Sequence, residues 1–392
     1  MVHISKKNMN ILQITDDLPP RVLGGSGRIV LETSEALADR GHDVSILTAG
    51  DPAIIPSYGK KISIHTIPVL PKRWAHYRSV FSKKREEKIL AVIRQVQPDI
   101  IHAHGIAWQM GYRWIGRARK MGIPCIWTAH GTMHISYGKV TGTETALWLT
   151  DIRQARWTYN PFRNACIRSY LHQCHILSVS DALRDYMANY SYTATTLHNG
   201  INLNFWQASV SQKEARQLCK LPADKSLFLI AGRMGYSKGL RHLLRSLPAA
   251  AHLIVAGSID SALVAEYGER LHPFSNQTAE QMKLLYAACD ATVVPSVYLD
   301  PFPTVCLESM ACSRPVIATS WGGSKEAVID SKTGWIVDPT DNAAFSSQLN
   351  WCSEHRTELP SFGKAGREHM EKHFARELYI DQLLEHYGQC RN

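Results

Sequence analysis

The stretch from Val293 to Glu326, VVPSVYLDPFPTVCLESMACSRPVIATSWGGSKE, constrains this chain most. A short apolar run ends at Pro295–Ser296, and a turn-rich segment, Val297 to Pro303, carries the acid Asp300. Helical spacing over Thr304 to Cys312 carries Glu308. Pro315 then leads a buried strand, Val316 to Thr319, and Gly322–Gly323 opens another short helix. Such a strand–loop–helix–strand unit puts a helix N-terminus at the carboxyl edge of a parallel sheet, where open α/β sheets bind ligands. The free N–H groups of the first helical turn and the helix dipole favour an anion there, most commonly phosphate. Glu308, one to two turns further in, would repel phosphate but can accept from ribose hydroxyls. The stretch reads as a nucleoside-diphosphate site with an additional acid, Asp300, on its loop.

A second cation-bearing turn lies upstream. The apolar run Leu227–Ala231 leads into Gly232-Arg233-Met234-Gly235-Tyr236-Ser237-Lys238-Gly239 and then a helix. Two cations on one loop at a helix N-terminus suit a diphosphate leaving group, because charge builds on its bridging oxygen as the bond to it breaks. A solvated basic turn is the alternative reading.

The first half repeats the strand–helix alternation. Met9–Thr15 reads as a strand, Arg28–Arg40 as a helix capped by Ser26 and closed by Gly41, and Val44–Thr48 as the next strand. The GGSG between them does not fit the dinucleotide pattern GxGxxG. Pro98–Gly105 is a buried strand with His102 and His104 at its end, placed on opposite faces and so read as poor joint metal ligands. Ile123–Gly131 is another, ending at His130, at the same sheet edge by βαβ logic. Thr143 to Arg168 is aromatic and irregular and reads as helices shaping an acceptor side.

At 392 residues the chain is long for a single core, so two domains are expected. No apolar run approaches the roughly 18–20 residues that span a bilayer, and MVHISKKNMN lacks a signal-peptide core. Nine cysteines without CxxC spacing, several in apolar segments, read as reduced core thiols. A cytoplasmic location is therefore expected. Residues 1–200 hold 25 Lys+Arg against 14 Asp+Glu, whereas residues 201–392 hold 19 against 20. The excess points to an anionic partner of the first half. Residues 72–88 interleave Lys72, Arg73, Arg78, Lys83, Lys84, Arg85 and Lys88 with Trp74, Tyr77 and Phe81, and read helical from Ser79 to Ile93. That mixture fits a helix on an anionic membrane interface, peripheral at the inner face, or a solvated helix with its aromatics turned inward. No nucleic-acid motif accompanies it.

Residues 300–319, Asp-Pro-Phe-Pro-Thr-Val-Cys-Leu-Glu then Ser-Met-Ala-Cys-Ser-Arg-Pro-Val-Ile-Ala-Thr, resemble the signature of the retaining GT-B glycosyltransferases called group 1 or family four. That signature is Glu, seven residues, Glu, then a small-residue helix and a Pro-led strand. Here the first acid is Asp300, one methylene shorter, and Pro303 stands where the family often has Gly, which removes a backbone donor. Arg233 and Lys238 match the family's phosphate clamp. His130-Gly131 matches its cleft histidine, which contacts the transferred sugar near the reacting carbon, with His134 a nearby alternative. Gly24–Gly25 match its Gly-Gly pair, where the loop approaches the donor phosphates or the acceptor. Pro273–Phe274, Val297 and Tyr298 are candidates to contact the base.

The resemblance implies an α/β, GT-B fold: two Rossmann-like domains facing across a central cleft. The domains would be 1–203, joined by a C-terminal helix of about 376–392 packing back, and 204–375. It implies a hexosyltransferase that moves a sugar from a UDP- or GDP-linked donor to a hydroxyl of a glycan or lipid-linked acceptor, in cell-surface polysaccharide biosynthesis. Arg233 and Lys238 would hold the diphosphate with the Thr304 and Val305 N–H groups and Gly25. Glu308 would bind ribose, and Asp300 and His130 would orient the sugar. No carboxylate is evident for a covalent intermediate, so a same-face displacement is expected. There is no Asp-x-Asp motif, so metal independence and no cofactor beyond the donor are expected. The rivals are a sugar-nucleotide 2-epimerase of the same fold, a phosphorylase needing a pyridoxal-phosphate lysine that is not evident, and a non-catalytic membrane-associated scaffold.

Overall fold

In a computed structural model the chain is described over residues 8–16, 18–19, 25–51, 62–71, 75–135 and 161–391. It divides into two compact units. One holds the described residues up to Asn199 together with those from Arg376 onward; the other is Gly200–Ala375.

The first unit is built on a parallel sheet of β1 (Asn10–Ile14), β2 (Asp43–Ala49), β3 (Ile62–Ile67), β4 (Ile100–Ala103), β5 (Cys125–Ala129), β6 (His175–Ser178) and β7 (Thr195–Thr196). Their order is β3-β2-β1-β4-β5-β6-β7. The second unit holds β8 (Ser226–Ala231), β9 (Ala251–Ala256), β10 (Leu271–Phe274), β11 (Ala291–Val294), β12 (Val316–Thr319) and β13 (Gly334–Val337), in the order β10-β9-β8-β11-β12-β13. Central strands such as β8 and β11 are buried along their whole length. Runs like these need helices on both faces, and parallel crossovers supply them. In each sheet the strand order turns back once, between β1 and β4 and between β8 and β11. At such a point neighbouring connections leave in opposite directions and open a crevice at the carboxyl edge.

In the first unit Ile11, Leu37, Val44, Ile100, Ile126 and Leu177 pack with Tyr379, Ile380, Leu383 and Tyr387 of the last helix, Arg376–Arg391. Arg40 pairs with Asp381 of that helix and donates to the Glu377 carbonyl at 3.0 Å. In the second unit Phe228, Leu243, Val255, Val293, Ile317 and Trp335 form the core. Arg216, on the helix Gln212–Leu218, makes a buried ion pair with Asp290 at 2.9 Å, and Asp290 accepts from the Leu227 N–H at 2.7 Å. This ties the connection between the units' sheets to the second one at the start of β8. Among the described residues no helix is long and apolar enough to cross a membrane.

Three local expectations change. The first helix spans Gly25–Asp39, so Ser26 lies inside it rather than capping it. The basic segment is two helices, Ala75–Phe81 and Lys83–Val96, because Ser82 takes an extended conformation and accepts from the Arg85 N–H at 3.2 Å as a new N-cap. Pro273 and Phe274 lie in the edge strand β10 rather than in a loop. Thr278 caps the helix Ala279–Ala288, reciprocally with Gln281.

Gly239 has φ +71°, and a Cβ there would lie 1.8 Å from the Pro295 carbonyl oxygen. Gly239→Ala should therefore destabilise the second unit by about 3 kcal/mol, read as a lower urea midpoint. Gly235→Ala, where a Cβ meets open space, should shift it little.

Candidate active site

The site in the second unit grows from the ends of β8 and β11. After Ala231 the chain turns through Gly232 at φ +123°, makes a 3₁₀ turn over Tyr236–Lys238 and enters the helix Leu240–Ser246 through Gly239. The loop after β11 lies directly against it, with the Val297 N–H donating to the Ser237 carbonyl at 2.8 Å. The contact brings two side chains together: Lys238 Nζ lies 2.7 Å from Asp300 Oδ2. Ser296 Oγ donates to the same carboxylate oxygen at 2.9 Å. The Tyr298 phenol bonds to both Asp300 and Lys238, and Nζ stands 5.5 Å from the centre of its ring. The Asp300 backbone is fixed as well. Its carbonyl accepts from the Gly323 N–H at 2.9 Å, and Gly322, at φ +78°, leaves no room for a Cβ beside it.

Burial opposes both charges of this pair. For Asp300 burial alone would raise the pKa, but the Lys238 ammonium and the hydrogen bonds from Lys238, Ser296 and Tyr298 outweigh it and hold the carboxyl below its ordinary value. For Lys238 burial would lower the pKa, but Asp300 and Tyr298 outweigh it and hold the ammonium above its ordinary value. The pair stays charged throughout the neutral range. Asp300, expected to orient a sugar, also aims Lys238.

Arg233 stands on the same loop. It is exposed, and its side chain has no ion-pair or hydrogen-bond partner among the described residues. The helix Thr304–Ala311 begins after Pro303 with no side-chain cap and no acid in its first turn, so its first N–H groups and dipole are not answered by a local carboxylate. Thr304 and Val305 are half-buried at that end. Glu308, on the same helix, is 8% exposed and accepts from the buried Tyr286 hydroxyl at 2.8 Å. Burial and the facing carboxylate push the Tyr286 phenol well up, so it remains a donor. Of the residues suggested for the base, Val297 is buried and Tyr298 is turned to the ion pair.

His130 belongs to the first unit, at the end of β5. It is half-buried, and Nε2 lies 3.0 Å from Nδ1 of His104. Burial pushes its pKa down to about 4, so it is neutral at physiological pH. His134 is buried and packed edge-on between the rings of Trp127 and Tyr192, which makes it a wall residue. Gly25 is the exposed first residue of its helix, whereas Gly24 lies outside the described residues, as does 143–160 of the aromatic segment. His102 and His104 are not on opposite faces: residues two apart in a strand share a face, and these two do. β4 ends at Ala103, and their ring centres lie 4.0 Å apart. Among the described residues no group of three or more His, Cys, Asp or Glu could hold a metal ion.

Sequence reasoning did not single out Ser296, Tyr286 or the hydrogen-bonding role of Tyr298. Ser296 and Tyr298 flank Asp300 closely enough to have been considered. Tyr286 lies 22 residues before Glu308, with no local signal linking the two.

Comparison with known proteins agrees with this architecture. Residues 23–205 match the model of Glycosyltransferase Family 4, and residues 211–369 match that of Glycosyl transferases group 1. The chain therefore belongs to the group 1, family 4 glycosyltransferases, and its fold is GT-B, with two Rossmann-like domains. An uncharacterized glycosyltransferase of Methanocaldococcus jannaschii is 27% identical over 354 residues, covering 84% of this chain and 85% of that protein. Among solved structures, the sucrose-phosphate synthase of Thermosynechococcus elongatus superposes with a TM-score of 0.78 at 23% identity, covering 97% of this chain and 98% of that one. Anabaena HepE, solved in complex with UDP-glucose, gives 0.71 at 17% identity, covering 97% and 100%.

Removing one partner from a buried pair leaves the other charge uncompensated. Asp300→Ala should cost about 3–5 kcal/mol in urea unfolding, and adding Lys238→Met should recover much of it. Because the folded pKa of Asp300 lies below its ordinary value of 3.8, its contribution is present above that value. The stability gap between wild type and Asp300→Asn should stay level at neutral pH and close as pH falls below the ordinary carboxylate range.

Proposed function

We propose that this glycosyltransferase transfers a hexose, with retention of configuration and without a metal ion, from a UDP- or GDP-linked donor to a hydroxyl of a glycan or lipid-linked acceptor in cell-surface glycan synthesis. The observation that carries the reading is the Lys238–Asp300 pair, held at the point where strand order turns back, on the loop that also bears Arg233. The fixed Lys238, Arg233 on the same loop and the uncapped helix end at Thr304 and Val305 suit a diphosphate whose charge grows as it departs. Glu308, aimed by Tyr286, takes the ribose hydroxyls. Gly25 approaches the donor phosphates with a backbone that no side chain obstructs. Asp300 and His130 orient the sugar.

In the reaction the bond from the anomeric carbon to the diphosphate oxygen breaks, and the acceptor oxygen bonds to the same face of that carbon. The acceptor's proton passes to the departing phosphate oxygen. The cations stabilise that oxygen, the part a divalent metal would otherwise play. HepE's complex with UDP-glucose supports a uridine donor for this chain, and the basic first half supports an acceptor with anionic or lipid-linked character. The basic segment supports peripheral docking on an anionic membrane. Residues 72–74 lie outside the described residues, and Arg85 is turned inward to the Gln109 carbonyl. Arg78, Lys83, Lys84 and Lys88 are exposed beside Phe81, which stacks on the exposed Phe162 at 6.2 Å.

Arg233→Ala should lower kcat by about a hundredfold or more with a UDP- or GDP-sugar donor, whereas a non-catalytic scaffold would have no rate to lose. Activity should persist in excess EDTA; its abolition would refute the metal-free reading. The protein should co-sediment with anionic vesicles and not with neutral ones, and Lys83→Glu with Lys84→Glu should release it.

A further inference from the structure

His130 is the outer end of a buried hydrogen-bond chain that starts on the last helix. Gln13 of β1 sits at its centre, with no exposed surface. Its Oε1 lies 2.7 Å from His104 Nε2, and its Nε2 lies 3.4 Å from the Tyr387 hydroxyl. Tyr387 OH is 2.8 Å from His102 Nδ1, and His102 Nε2 is 2.7 Å from Thr128 Oγ1. On the other side His104 Nδ1 is 3.0 Å from His130 Nε2. Trp127 Nε1 donates to the His104 carbonyl at 2.9 Å and fixes that residue's backbone.

Burial keeps all three imidazoles neutral, with His102 pushed down to about 3, His130 to about 4 and His104 well down. A neutral imidazole carries one N–H, and its other nitrogen accepts. The branch from Gln13 through His104 to His130 therefore has only two self-consistent polarities, and the orientation of the Gln13 amide selects between them. With Oε1 toward His104, that ring donates from Nε2 and accepts at Nδ1. His130 must then donate from Nε2, which leaves its Nδ1 bare. On the far branch the Gln13 N–H donates to Tyr387, Tyr387 donates to His102 Nδ1, and His102 donates to Thr128. Each of these donors has an acceptor. His130 Nδ1 has no hydrogen-bond partner among the described residues.

We propose that Gln13, acting through His104, locks His130 in the Nε2–H tautomer, so that Nδ1 is a fixed acceptor for a hydroxyl of the transferred sugar. A phosphoryl oxygen, which only accepts, has nothing to bond there. Gln13 and His104 are positioning residues; the sugar contact rests on the function proposed above, whereas the tautomer does not.

The test is long-range proton–nitrogen correlation on the full chain labelled with ¹⁵N-histidine at neutral pH, with His130 assigned by the signals that His130→Ala removes. The expected result is a protonated Nε2 and an unprotonated Nδ1. A protonated Nδ1, or an average of the two forms, overturns the proposal without reference to activity. In Gln13→Leu the two tautomers of His130 should mix; an unchanged spectrum in a folded variant removes the role of Gln13. His130→Ala retaining full transferase rate overturns the sugar contact and leaves the tautomer assignment standing.

Discussion

The second unit's chemistry depends on how closely two loops can approach. β8 and β11 are neighbours in the sheet, yet their connections leave in opposite directions, so nothing in the sheet itself presses the loops together. Gly239 does so, because without a Cβ its backbone can rest on the Pro295 carbonyl. That approach lets Lys238 reach an aspartate. A glutamate would have an extra methylene of reach; here the loop is drawn in instead, through the Gly323 N–H and the space left by Gly322. Taking an ammonium and a carboxylate from water is costly, and their mutual attraction repays it only where remaining lone pairs are also used. Ser296 and Tyr298 use them. The result is a cation whose position is set before any ligand arrives, which is the condition for electrostatic stabilisation without reorganisation.

Much of this was legible in the sequence because it is local. Apolar runs bounded by glycine and proline marked β8, β11 and β12, and a loop bearing Arg233 and Lys238 just before a helix marked the clamp. What was not legible comes from contacts that sequence spacing does not encode. Ser26 looked like a cap, but the helix starts at Gly25 and swallows it. Ser82 looked like one more residue of a single helix, but it restarts the chain as an N-cap. His102 and His104 were placed on opposite faces, against the period of a strand, which puts residues two apart on one face. Gln13 and Tyr387 are 374 residues apart, so only the return of the last helix onto the first sheet brings them together.

The two units solve a shared geometric problem with opposite chemistry. Each presents its polar groups where strand order turns back, at the β1–β4 and β8–β11 junctions. In the second unit those groups are charged, and a carboxylate with two hydroxyl donors keeps Lys238 charged after burial. In the first unit burial is not opposed by any such partner in the chain from Tyr387 to His130, and the imidazoles give up their charge. Net charge hides this, since the first half is the basic one by sequence. A nucleoside-diphosphate sugar has the same division within one molecule, anionic at the diphosphate and neutral at the sugar. An anion suits the second environment and an uncharged group the first: a phosphate meets no charged donor among neutral imidazoles, and a hydroxyl leaves Arg233 unneutralised.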